Sequence, residues 1–307
     1  MRTLLLIDAN SIIHRSFHAL PPLTGPGGRP TGSLYGLASI LLKLWREEKP
    51  DYATALFDRP EPTFRKEKYA AYKAQRPAAP DELISQIIEA HNLFPAFNIK
   101  TFEKPGFEAD DLIATFAERF KQEKDLQIVI LTGDRDTLQL VEDDKVVVRT
   151  FKTGVSETFV YNKATVKEKY GLEPRQLIDY KALVGDPSDN IKGVPGVGPK
   201  TATEILQRYN TLENAYKNLA NDSKLEKRLG PFRKDAELSK DLVTLVRNIP
   251  VDVNDIEELK TSENNEKIKE YFSKLGFAAL IKRLEGDSAN AGSLKNITKK
   301  KLQKPML

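Results

Sequence analysis

The chain has no cysteine among its 307 residues, which removes disulfides, thiolate zinc sites, iron–sulfur clusters and thiol catalysis together. Histidine is nearly as scarce, with three copies and none paired at metal-ligand spacing. Any bound metal must then be held mainly by oxygen, which favours Mg²⁺, Mn²⁺ or Ca²⁺ over zinc. No apolar run approaches ~18 residues, so no transmembrane helix and no membrane partner are expected. The run Leu4-Leu5-Leu6-Ile7 is stopped by Asp8 too early for a signal peptide, and a cytoplasmic location is expected. Against these absences stand 40% apolar residues, including 14 Phe and 10 Tyr, enough for a real core. The length suits one large domain or two smaller ones. The net charge is only +4, from 48 basic and 44 acidic residues. Such a balance can hide two opposed fields: with nine acids in one cleft, 35 remain against 48 bases, a body of +13. A basic body around an acidic pocket is what a metal-dependent enzyme acting on nucleic acid needs.

The first half alternates apolar strands with helix-period segments. Strands are expected at Thr3–Ile7, Tyr52–Phe57, Phe97–Phe102, Leu126–Leu131, Val146–Arg149 and Thr158–Tyr161, the last two flanking a Thr153-Gly154 turn. Helices are expected at Ser33–Trp45, Asp81–Phe94 and Glu108–Phe120. This alternation predicts an α/β fold, a mostly parallel sheet flanked by helices. From about Leu172 the strand signals vanish. Helical segments follow at Pro174–Leu183, Lys200–Tyr209, Leu212–Asn218, Ala236–Val246 and Glu266–Leu275. The expected division is an α/β domain over 1–172, a helical domain over 173–286 and a disordered basic tail over 287–307, with five Lys from Lys295 on and no acid.

Three apolar strands run into aspartate: Thr3–Ile7 into Asp8, Tyr52–Phe57 into Asp58, and Leu126–Leu131 through Thr132-Gly133 into Asp134 and Asp136. In an open parallel sheet the carboxyl ends of the strands share one edge, where ligands bind. One such Asp is an ordinary helix cap or turn residue, but capping does not require the same residue at every strand end. Glu108, Asp110 and Asp111 open a helix, where acids suit the helix dipole in any case; Glu108 and Asp111 share a face. Asp186 and Asp189 lie in a segment, Gly185–Asn190, whose composition also suits a plain turn.

Val194–Ala202 opens another helix. A Walker loop needs Lys directly after its last Gly, and here Pro199 intervenes before Lys200 with no strand upstream, so a triphosphate loop is rejected. The remaining reading is a helical hairpin whose glycines expose backbone N–H groups to a DNA backbone, a phosphate site without base readout. Pro60–Pro80 interleaves Arg65, Lys66, Lys68, Lys73 and Arg76 with Phe64, Tyr69 and Tyr72. An exposed loop with a solvated helix would read the same way. Its position after an acidic strand end instead suggests a single-strand contact surface with Tyr69 and Tyr72 as stacking platforms. With few apolar anchors, residues 59–80 are expected to be mobile until DNA binds.

Taken together, LLLIDANSIIHRSFHAL, ALFDRPEPTFRKEKYAAYKAQRP, PGFEADDLIA, ILTGDRDTLQL and LVGDPSDNIKGVPGVGPKTA resemble the 5′-nuclease domain of bacterial DNA polymerase I and, more broadly, the flap endonuclease family. The motifs occur in the family's order over roughly residues 3–285. The resemblance implies a nuclease core of the PIN-like kind, a helical arch and two metal sites. Asp8, Asp58, Glu108, Asp110, Asp111, Asp134, Asp136, Asp186 and Asp189 match the family's acidic positions, with Mg²⁺ as the ion and Mn²⁺ as its substitute. Lys73 and Arg76 match the basic residues of the arch, and Arg65, Tyr69 and Tyr72 fall to DNA contact. Gly193, Gly196, Gly198, Lys200 and Thr201 match the duplex-binding hairpin, where a monovalent cation, K⁺, is also implied.

The expected reaction is hydrolysis of a DNA phosphodiester at a single-strand/duplex junction, on flap, nicked or 5′-overhang duplex, with RNA in the displaced strand left open. No side chain offers a nucleophile, so a metal-activated water is expected to attack, between two ions that stabilise attacking and leaving oxygens. The resemblance implies 5′-phosphate and 3′-hydroxyl products, a monomer, and a role in replication and repair, alone or linked to a polymerase domain in a longer chain. Two other readings stay open at this point: a non-catalytic junction-binding module, and a ribonuclease on a related acidic α/β fold.

Overall fold

In a computed structural model, residues 1–152, 154, 157–262 and 264–286 are described. Thr153 of the expected turn and the expected tail 287–307 lie outside them. Six strands form one sheet: β1 Arg2–Asp8, β2 Tyr52–Leu56, β3 Lys100–Phe102, β4 Leu126–Leu131, β5 Val146–Phe151 and β6 Thr158–Tyr161. Their order is β3-β2-β1-β4-β5-β6, all pairs parallel except β5 with β6. The helices are α1 Ala9–Ala19, α2 Gly32–Glu47, α3 Phe64–Lys68, α4 Asp81–Ala96, α5 Ala109–Phe120, α6 Lys163–Tyr170, α7 Gln176–Val184, α8 Pro199–Tyr209, α9 Leu212–Lys217, α10 Ser223–Leu229, α11 Arg233–Val243 and α12 Asn265–Leu275. Among the described residues, no helix is long and apolar enough to cross a membrane.

The period of two along each strand divides the core. Leu4 and Leu6 of β1 and Ile128 and Ile130 of β4 face α5, with Leu112, Ile113 and Phe116. Leu5 and Ile7 and Val129 and Leu131 face the other way, onto Ile12, Leu37, Leu41 and Phe94 of α1, α2 and α4. Burial on both faces explains why these strands read as solid apolar runs. Helix α1 escaped the sequence reading although its signals are there: Asp8 caps it, its side chain accepting from Ser11 N at 3.0 Å, and Ile12, Ile13 and Ser16 are buried. The expected strand from Phe97 begins only at Lys100, because the N–H groups of Phe97, Asn98 and Ile99 bond back to the end of α4.

The second half of the chain contributes to more than one core. Residues 172–236 do form their own core, with Leu183, Val194, Val197, Leu206, Leu212 and Leu229. The chain then returns. Leu245, Ile249, Val253, Ile256 and Leu259 pack with α5 and one face of the sheet. Ile268, Phe272, Leu275, Phe277, Leu280 and Leu284 pack with the opposite face. Residues 172–236 thus keep a core of their own, while the segments beyond about residue 244 also pack on the sheet. The amphipathic pattern of α12 was visible, but nothing in a pattern says which core it covers.

The C-terminal return thus belongs to the unfolding unit of the sheet. Phe272 is fully buried there. Phe272→Ala is expected to lower stability by about 3–5 kcal/mol. In urea titration, tyrosine fluorescence and far-ultraviolet dichroism should shift together; an independent early transition at α12 would place it outside the core.

Candidate active site

At the carboxyl edge of the sheet the strand order turns around between β1 and β4. Register puts Asp8 level with Leu56 of β2, and Ile7 level with Leu131 of β4, so Asp58 and Asp134 emerge just beyond on either side. Asp8 keeps its ordinary role as the cap of α1, and its second oxygen accepts from Thr132 Oγ1 at 2.6 Å. Asp58 accepts from Ala109 N at 2.7 Å, which ties the start of α5 to this edge and brings Glu108 and Asp110 with it. A cleft of about 900 Å³ opens here, lined by Ser11, Arg15, Arg76, Asp134, Asp136, Lys181 and Asp186.

The electrostatics show how closely these acids are gathered. The Asp110 carboxyl is pushed well up by desolvation and then by Asp8, Asp134, Asp136 and Asp58, and its Oδ1 is buried without a hydrogen-bond partner. Asp8 is pushed up to about 7 by burial and Asp58. Asp136 is also pushed up to about 7, by burial and Asp134, with Lys181 pulling the other way. An orphaned buried oxygen facing four other carboxylates suits a hard divalent cation. Among the described residues no three carboxylates stand in direct metal-ligating geometry. Several are turned instead toward the protein's own cations.

Lys181 is the largest of these, and the sequence reading missed it. It pairs with Asp136 of the sheet edge and, at 2.7 Å, with Asp186 beyond α7. Burial opposes its charge, but the two carboxylates outweigh this and its pKa ends raised. The available signal was a lone Lys within the apolar end of a helix, five residues before Asp186. Lys73 pairs with Glu108 at 2.9 Å, and Arg76 with Asp189 at 2.5 Å. Lys73 has a left-handed backbone (φ 53°) and its N–H bonds to the Asp189 carbonyl at 3.0 Å, a strained position held by its surroundings.

Several expectations do not hold. Asp111 is not available to a metal: it is fully buried, and its oxygens take both arms of Arg65 at 2.6 and 2.7 Å and the N–H groups of Val246 and Glu108. Arg65 is correspondingly no DNA contact, being 1% exposed. Tyr72 is no stacking platform: its ring is buried with Ile191, Leu242 and Val243, and its hydroxyl donates toward Glu108 and Asp189, each at 3.0 Å. Burial, Glu108 and Asp189 push its pKa far up, so it stays neutral. Tyr69 packs half-buried on the same cluster. The arch is one short helix, α3, followed by turns. It is anchored rather than free: Gln75 donates to Pro187 and Ser188 carbonyls and Asn190 to that of Ala71. An alternating basic and aromatic pattern cannot tell a side chain turned inward from one turned outward.

The hairpin divides likewise. Gly193 is buried, and a Cβ there would meet Gly185 N at 2.3 Å, so its glycine serves chain packing rather than DNA. Gly196 (φ 77°) and Gly198 have open space around them, and Lys200 beside them is exposed; Thr201 sits half-buried on α8.

A stability profile follows from the acids. Asp8, Asp110 and Asp136 have folded-state pKa values above their unfolded ones. The folded protein therefore binds more protons between about pH 4 and pH 7, and stability falls as pH rises through that window. His14, lowered by desolvation, His18 and Arg76, acts in the opposite sense. In chelator, Tm should fall from pH 5 to pH 8. Added Mg²⁺ should raise it at pH 8 and hardly at pH 5, since the cation replaces the protons. A profile flat in both respects would dissolve the charge cluster.

Comparison with known proteins identifies the two domains. Residues 3–171 match the 5′-3′ exonuclease N-terminal resolvase-like domain, and residues 172–267 match the 5′-3′ exonuclease C-terminal SAM fold. The chain is 39% identical over 287 residues to a 5′-3′ exonuclease of Aquifex aeolicus, covering 93% of this chain and 96% of that protein. It is 44% identical over 285 residues to a DNA polymerase I of Caldicellulosiruptor bescii, covering 92% of this chain but 33% of that protein. It thus spans about a third of the length of the polymerase and nearly all of the Aquifex aeolicus protein. Among solved structures, the T5 5′-exonuclease with bound divalent metal ions (zinc) aligns at a TM-score of 0.64 and 25% identity, covering 80% of this chain and 90% of that one. With one family model matched over residues 3–171 and the other over 172–267, the chain belongs to the 5′-3′ exonuclease family and carries both of that family's domains.

Proposed function

We propose that this chain hydrolyses DNA phosphodiesters at single-strand/duplex junctions, releasing 5′ flaps, with divalent cations held by Asp8, Asp58, Glu108, Asp110, Asp134, Asp136, Asp186 and Asp189. The observation that carries this reading is the orphaned, strongly perturbed Asp110 inside a ring of carboxylates at the turning point of the sheet. Mg²⁺ fits the all-oxygen donor set, and Mn²⁺ substitutes. Bound there, such cations supply a nucleophilic water and neutralise charge developing on the phosphate.

The protein's own residues do the positioning. Thr132 Oγ1 and Ser11 N fix both oxygens of Asp8. Asp134 N and Asp136 N bond to Thr132 Oγ1 and Asp134 Oδ1 at 2.9 Å each, which sets that turn. Lys73 and Arg76 stand over the acids on the arch side, where a phosphate in the cleft could exchange for Glu108 and Asp189 as their partner. The open backbone at Gly196 and Gly198, with Lys200, offers a duplex a contact without base readout. Their N–H groups open α8 where its dipole favours phosphate. K⁺ at 193–198, RNA in the displaced strand, a monomeric state and a linked polymerase domain belong to the same reading.

Cleavage of a 5′-flap substrate should vanish in excess chelator and return with Mg²⁺ or Mn²⁺, whereas Ca²⁺ should support binding more than turnover. Asp134→Asn should reduce single-turnover cleavage by about 10²-fold or more without lowering Tm at neutral pH, because the shape survives and a repelling charge is removed. Full activity in chelator, or wild-type rates in the variant, would sink the metal assignment.

The two basic regions should separate kinetically. Lys73→Ala should lower the single-turnover rate far more than duplex affinity, the mark of an interaction strongest in the transition state. Lys200→Ala should weaken binding about equally across DNA sequences and flatten the log–log salt dependence by ~1. A Lys73→Ala loss confined to affinity would make that residue a steering charge.

A further inference from the structure

The Arg65–Asp111 pair is too well placed to be only a core contact. Arg65 lies in the arch, on α3, while Asp111 lies on α5 of the nuclease core. Arg65 Nε donates to the Leu242 carbonyl at 2.8 Å and an outer nitrogen donates to the Thr244 carbonyl at 3.0 Å. Asp111 accepts from Val246 N at 2.9 Å. Leu242–Val246 is the strand of chain by which α11 leaves the helical domain and re-enters the α/β core. Through α11 it reaches the hairpin, since Gly193 N donates to Ser239 Oγ at 3.2 Å. In the other direction Arg65 reaches Glu108 at 3.4 Å, and Glu108 holds Lys73 at 2.9 Å. One buried guanidinium therefore touches the arch, the acid cluster and the exit from the duplex-binding domain.

We propose that Arg65 is a positioning residue that couples duplex binding by the helical domain to the placement of Glu108 and the arch. The inference rests on the nuclease reading for its substrate but on this geometry for its route. A guanidinium suits the task because it is planar and makes several bonds in fixed directions; an ammonium at the same place keeps the charge and loses the fork. A shift of the Leu242–Val246 segment on duplex docking is then passed through rigid bonds instead of being absorbed in a loose loop. A network of this kind has physical content only if both ends respond to it.

The test compares wild type with Arg65→Lys on two substrates, a flap with a long duplex and the same 5′ strand without duplex. Wild type should show a single-turnover rate raised by the duplex. The variant should bind the long duplex within about twofold of wild type yet lose at least about fivefold of that rate enhancement, the lower end of ordinary coupling between sites. Equal loss on both substrates, or an unchanged ratio, would make Arg65 a purely structural residue and overturn the proposal. Hydrogen exchange supplies a readout that needs neither cleavage nor a stable variant. Blunt duplex, lacking any 5′ single strand, should change exchange across residues 64–76 in the wild-type protein, and no change there would equally overturn the coupling. If the wild type cleaves neither substrate, the nuclease reading fails, while the exchange measurement still decides the coupling.

Discussion

The rest of this structure is arranged around the repulsion among carboxylates brought to one edge of a parallel sheet. Asp8, Asp58, Asp134 and Asp136 each raise the cost of ionising at least one neighbouring carboxyl, Asp110 above all. Such a cluster is destabilising unless positive charge is supplied. The fold supplies it with three side chains from two elements, Lys181 from α7 and Lys73 and Arg76 from the arch. Each of these cations arrives from an element outside the sheet. The acid cluster is thus also what draws the arch and the helical domain onto the nuclease core.

That dependence bears on how residues 172–236 are tied to the sheet. They bring Lys181 and Asp186 to the cleft and Asp189 to Arg76 of the arch. One covalent connection would act as a hinge. The chain makes two crossings, at about Leu172 and again at Leu242–Val246, and the second is bonded on both sides by Arg65, Asp111 and Gln139. A buried, fully paired guanidinium adds little net stability over an apolar replacement but is severe to break, so its value lies in fixing one arrangement.

What could be read from the sequence followed how local each cause is. Asp8, Asp58 and Asp134 were legible because strand and carboxylate are neighbours in the chain, and a parallel sheet then aligns the strand ends without further information. The family resemblance and the matched domains agree over the same residues. The losses all involve partners far apart in sequence. Lys181 meets Asp136 from 45 residues away, and Arg65 meets Asp111 from 46. Asp111 looked like its neighbour Asp110, yet one helical step turns it from the cleft to the core. The return of residues 245–284 to the sheet was invisible for the same reason: amphipathicity states that a face is covered, not by what.

The arch shows what that long-range order means for selectivity. Its anchors are Tyr72 in an apolar pocket, Arg65 in the core and the 187–190 loop beneath. Only its polar tips, Lys73 and Arg76, are left to exchange partners. Those two cations are engaged by Glu108 and Asp189, the same carboxylates that the metal reading assigns to the ions. Under the proposed metal assignment, a divalent charge among the acids would lower the attraction of Glu108 and Asp189 for Lys73 and Arg76 and would leave the two side chains to a phosphate. Metal and substrate would then be linked by electrostatics at these two ion pairs, with no large rearrangement of the backbone required.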